Sequence, residues 1–83
     1  MTKLNLKEIE EKIINQIALI LSIDRGKIKL DVQLHTLGVD SLSFVEILVF
    51  IEKEFKIKLM ESGLTREDFK TIRSLSTRIY NSL

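Results

Sequence analysis

The sequence predicts an all-α protein in which three longer helices and one short one form a four-helix bundle, with a long loop between the first and second helices. Apolar residues recur at steps of three and four in three separate segments, the spacing that stacks side chains on one helical face. Each of these segments opens on residues that favour helix caps. Proline is absent and glycine occurs three times, so little in the chain interrupts a helix.

The first helix is announced by Asn5 and Glu8, an N-x-x-E variant of the capping box, after which Leu6, Ile9, Ile13, Ile17 and Ile20 fall on one face. It is expected to run to about Ser22. Residues 23 to 40, "IDRGKIKLDVQLHTLGVD", lose that period and read as a loop turned at Gly26 and Gly38. A loop of that length in a small domain usually serves a function. The second helix, about Ser41 to Lys56, has Leu42, Val45, Val49, Glu52 and Phe55 at helical steps, while Phe44, Ile47, Leu48, Phe50 and Ile51 widen its apolar arc. Such a helix must be covered on several sides. Residues 56 to 63 read as loop, and Thr65 with Asp68 opens a short helical turn ending near Phe69. Thr71 then precedes a last helix with Ile72, Leu75, Ile79 and Leu83 on one face. Ile51, Leu59, Phe69 and Leu75 are expected in the core, and Lys27 and Lys29 in solvent.

Length and composition restrict function as well as fold. A chain of 83 residues with 45% apolar content is expected to be one domain, residues 1 to 83, with little room for both a core and a deep cleft. Thirteen basic residues against twelve acidic ones, spread along the chain, disfavour nucleic acid as a partner. No cysteine is present, so any thiol chemistry must be imported. The first twelve residues mix charged with apolar side chains, and the longest apolar run, Ile47 to Ile51, is far short of the roughly 20 residues that span a bilayer. The expectation is a cytoplasmic monomer with no membrane span.

The stretch "LGVDSLSFVEIL", residues 37 to 48, leaves Ser41 open to three readings. Asp40 and Ser41 are both good helix caps, and Ser43 with Glu46 makes a rival capping box. As a nucleophile, Ser41 needs a base and oxyanion donors; His35 is the only histidine, and "GVDSL" lacks the second glycine of a G-x-S-x-G elbow. Third, Ser41 is a point of attachment. If Asp40 is the cap, Ser41 becomes the first helical residue and its hydroxyl is free to face water.

"LGVDSL" followed by "VEILVFIEKEF" resembles the acyl carrier protein family, in which L-G-x-D-S-L holds the serine that receives 4'-phosphopantetheine. Helix order and lengths fit nearly the whole chain, so the bundle is expected to be of acyl-carrier type. The resemblance implies a carrier and not an enzyme, with no metal of its own. By that resemblance a phosphopantetheinyl transferase would load Ser41 from coenzyme A, and acyl-loading and acyl-transferring enzymes would then exchange thioesters on the arm. Gly38, Asp40 and Leu42 would hold the attachment point: Gly38 by a tight turn, Asp40 as the cap, and Leu42 as an anchor in the core. Val39, Ser43, Phe44, Glu46, Val49, Glu52 and Lys53 would meet partner enzymes, and Arg66 would lie near that surface.

The chain also departs from the family's pattern. Carriers of fatty acid synthesis are typically strongly acidic, whereas here only residues 40 to 56 keep an acidic excess, with Asp40, Glu46, Glu52 and Glu54 against Lys53 and Lys56. Ser43 stands where an acid is usual, followed by Phe44, which reads equally as core or as partner anchor. Lys53 replaces another acid. These changes point to a specialised carrier whose partners depend more on apolar contact than on charge steering. An aminoacyl, D-alanyl or peptidyl carrier is the nearest alternative, and an unmodified helical interaction module is a third.

Overall fold

The computed structural model describes residues 4–58 and 69–83. Among these the fold is all-α: α1 spans Leu6–Leu21, α2 Leu34–Leu37, α3 Ser41–Phe55 and α4 Ile72–Ser82, with a 3-10 turn at Arg25–Lys27. The three longer helices lie where periodicity put them. α1 packs against both α3 and α4.

Local chemistry sets the helix ends. Asn5 accepts the Glu8 N–H at 2.8 Å to start α1. At its far end Ser22 adopts a left-handed backbone (φ 55°), while Ser22 N–H reaches Leu19 C=O and Ile23 N–H reaches Ala18 C=O. This pair of closing bonds satisfies carbonyls that the last turn would otherwise leave open. α2 ends the same way: Gly38 N–H bonds His35 C=O at 3.1 Å and Val39 N–H bonds Leu34 C=O at 3.2 Å, with Gly38 at φ 106°. At that angle a side chain would be strained, which is why glycine stands there.

The core is dominated by isoleucine. Ile9, Ile13 and Ile17 of α1, Ile51 of α3, and Ile72, Leu75 and Ile79 of α4 are fully buried, with Ile47 at 1% exposure. Ile28 and Leu34 add to this core from the first connection, which is thereby pinned by side chains as well as by hydrogen bonds. Leu34 N–H bonds Lys70 C=O at 3.0 Å, Arg73 N–H bonds Leu30 C=O at 3.0 Å, and Gln33 pairs with Thr71 in an isolated antiparallel bridge. Surface ion pairs join Lys12 to Glu54 (2.8 Å), Arg73 to Asp31 (2.7 Å), and Arg25 to Glu11. Being exposed, these pairs add little beside the core.

The structure revises several expectations. The first connection is not all loop: it holds the 3-10 turn, capped by Asp24 accepting the Gly26 N–H, and the one-turn α2, closed by Gly38. Elements this short lack the length over which a helical period becomes visible. In α3 the buried arc is Ile47, Leu48, Ile51 and Phe55, while Leu42, Val45 and Val49 are 70%, 53% and 43% exposed. Leu42 therefore does not anchor the helix start in the core. Periodicity marked α3 as apolar on most sides, but α1 and its neighbours occupy only one of them. Leu83 follows α4 and is also exposed. The short turn expected at Thr65 to Phe69 lies, apart from Phe69, outside the described residues, as do Leu59, Arg66 and most of residues 56 to 63. Among the described residues, no helix is long and apolar enough to cross a membrane.

Candidate functional site

The start of α3 is built by a division of labour between adjacent residues. Asp40, in extended backbone, is the cap: its Oδ1 accepts the Ser43 N–H at 2.9 Å and its carbonyl accepts the Phe44 N–H at 2.8 Å. The Ser43–Glu46 box therefore does not start the helix. Hydrogen bonds from the Ser43 N–H and hydroxyl hold the Asp40 carboxyl below its ordinary value, so the cap is anionic around neutrality. Ser41 is the first residue of α3, and its side chain is exposed. Its hydroxyl is not needed to satisfy the helix.

Beside Ser41 lies an open depression of about 420 Å³. Leu34, Val39, Phe44 and Phe69 make its apolar wall, while His35, Asp40 and Ser41 line it with polar atoms. The rings of Phe44 and Phe69 meet edge to face, 4.5 Å between centroids and 88° between planes. Phe44 thus stands between its two sequence readings, half-buried against Phe69 and facing the depression.

The residues expected to meet partners divide between two surfaces. Val39 and Phe44 face the depression, and Ser43, half-buried, is engaged with Asp40. Leu42, Val45, Glu46, Val49 and Lys53 are all exposed and follow one another along one side of α3 at helical spacing. Glu52 is half-buried beside that stripe. The outer side of α3 is therefore an apolar strip, with Glu46 beside it and Lys53 towards its end.

Three residues share the depression with the serine that the sequence did not place there: Leu34, Phe69, and His35, which was weighed only as a base for a nucleophile. The signal for Leu34 and His35 was the L-x-x-L-G end of α2. A closing glycine at position 38 reverses the chain and brings the last turn of α2 to the first turn of α3. For Phe69 there was no such signal, because its place depends on how α4 approaches the bundle.

The chain is similar in sequence to known proteins. A family model described as the C-terminal ACP domain of the highly reducing polyketide synthase sdgA matches residues 1–83. The chain is 39% identical over 66 residues to an acyl carrier protein of Onion yellows phytoplasma (strain OY-M), a match covering 78% of this chain and 84% of the relative. An acyl carrier protein of Aster yellows witches'-broom phytoplasma (strain AYWB) matches with the same identity and coverage. No solved structure matches the chain.

Proposed function

The chain belongs to the acyl carrier protein family, and from that premise we propose that residues 1 to 83 are a single carrier domain bearing 4'-phosphopantetheine on Ser41. As a member of that family it is a carrier on which enzymes act, and not itself an enzyme. The observation that supports the site is the one just described: Asp40 satisfies the helix start, which leaves the Ser41 hydroxyl exposed and uncommitted.

The residues present fit the group. A phosphodiester on the first residue of α3 would sit at the positive end of the helix dipole, where first-turn N–H groups favour an anion. Gly38 and Asp40 fix the position of Ser41, and the wall of Val39, Phe44 and Phe69 offers an apolar surface next to it. In the loading reaction the Ser41 Oγ forms the bond to phosphorus and gives up its proton to the transferase, while adenosine bisphosphate leaves from coenzyme A. When bound, the group supplies a terminal thiol that holds acyl chains as thioesters, a thiol that a chain without cysteine lacks.

Partner enzymes, a phosphopantetheinyl transferase and the enzymes that load and remove acyl groups, would meet the outer side of α3. Leu42, Val45 and Val49 are exposed there, which supports a specialised carrier recognised largely by apolar contact. Steep loss of partner binding with added salt, the mark of a charge-dominated interface, would count against that recognition mode.

The test is incubation with coenzyme A and a broad-specificity phosphopantetheinyl transferase, followed by intact mass. A gain of ~340 Da is expected in the wild type and not in Ser41→Ala. No gain in the wild type would favour an unmodified interaction module, and a gain in the variant would move the site elsewhere. Loading assays of the modified protein with malonyl or fatty groups against activated amino acids then separate an acyl cargo, which is expected, from an aminoacyl one.

A further inference from the structure

We propose that His35 is the residue of this chain that holds the phosphodiester on Ser41, its imidazole donating an N–H to a non-bridging phosphoryl oxygen. This rests on the attachment reading above and adds to it a positioning residue. The carrying observation is placement. The closing bonds of α2, Gly38 N–H to His35 C=O and Val39 N–H to Leu34 C=O, fold the chain back so that His35 and Ser41 line one depression.

Charge gives the arrangement its purpose. A phosphodiester on Ser41 would stand next to the anionic carboxylate of Asp40, which is engaged in capping α3. Like charges in contact are unfavourable, and among the described residues that line the depression the group that can offset them is His35. The imidazole is also available. His35 is exposed, and its side chain makes no hydrogen bond or ion pair among the described residues.

Phosphorus NMR of the modified protein tests this. A phosphodiester stays a monoanion from about pH 5 to 8, the interval in which histidine ordinarily changes charge. Asp40, the other titratable group among the described residues that line the depression, is already ionised there. The phosphorus resonance of the wild type should therefore move sigmoidally across that interval, and that of His35→Gln should stay flat. Circular dichroism checks that the variant is folded, as expected for an exposed position. A flat wild-type resonance, or the same movement in the variant, would overturn the role of His35 while leaving the attachment standing, since the mass gain is read on the same sample. Absence of the mass gain would overturn both.

Discussion

Two helix starts in this molecule use the same local device and reach opposite ends. At α3, Asp40 caps by accepting the Ser43 N–H, and at α4, Thr71 caps by accepting the Ser74 N–H at 3.1 Å. The residue after the cap is an exposed Ser41 in the first case and a fully buried Ile72 in the second. The α4 start is further closed by the first connection, through the Arg73 N–H to Leu30 C=O bond, the Gln33 bridge to Thr71, and the Asp31–Arg73 ion pair. Capping is therefore a property of a few neighbouring residues, whereas access to the helix tip is decided by what packs over it. One start stabilises the bundle; the other stays open to other molecules.

Substitution at the first helical position should separate the two most widely. Ile72→Ala removes a fully buried side chain from the core and is expected to cost about 2 to 5 kcal/mol in denaturant unfolding. Ser41→Ala should stay within about 0.5 kcal/mol of the wild type and still abolish modification. Comparable losses at both positions would mean that the α3 start is as structural as that of α4.

The next effect concerns how the open start is held. Gly38 has φ 106°, and Gly38→Ala should cost about 1 to 3 kcal/mol, although no atom beyond its chain neighbours stands within 4 Å of the added carbon. Because that turn positions Ser41, the transferase rate should fall as well. An unchanged melting curve would show that the turn tolerates other backbone angles.

A third contrast lies within α3. Leu42→Ala, on the exposed strip, should lower kcat/KM for the transferase by roughly tenfold, about 1.4 kcal/mol, with little change in stability. Loss of stability without loss of kcat/KM would place Leu42 in the fold and remove the strip from the docking surface.

The smallest effect is in the dependence on acid. Hydrogen bonds from Ser43 depress the Asp40 carboxyl, and the guanidinium of Arg73 depresses that of Asp31, each below the ordinary value of 3.8. A carboxyl whose folded pKa is depressed stabilises the fold above 3.8 and loses that contribution as pH falls through the folded value. Asp40→Asn should therefore narrow its stability difference from the wild type as pH drops below 3.8, whereas Thr71→Ala, which removes a neutral cap, should show a difference that does not change with pH. A difference for Asp40→Asn that is constant down to low pH would mean that the cap is not held by charge.

Much of this was legible in the residues, for identifiable reasons. The caps Asn5, Asp40 and Thr71 act on N–H groups three residues away, so short patterns reveal them. α1 and α4 each have a single apolar face, and periodicity found Ile9, Ile13, Ile17, Ile72, Leu75 and Ile79. α3 is apolar on two sides, and choosing between Ile47–Ile51 and Leu42–Val49 needed the positions of its neighbours. The "LGVDSL" string that resembles the family's motif was readable, but the depression beside it was not. It is assembled from α2, the start of α3 and Phe69, and Phe69 lies far from the others along the chain.

Localising the modification by tandem mass spectrometry of a proteolytic digest tests the central claim most directly, because Ser41 and Ser43 lie in the same peptide and differ in what their hydroxyls are doing. Ser43 is engaged with Asp40, and Ser41 is exposed. All of the added mass on Ser41 is the expected result. Mass on Ser43, or shared between the two, would contradict the account, because the helix start would then not be what selects the serine.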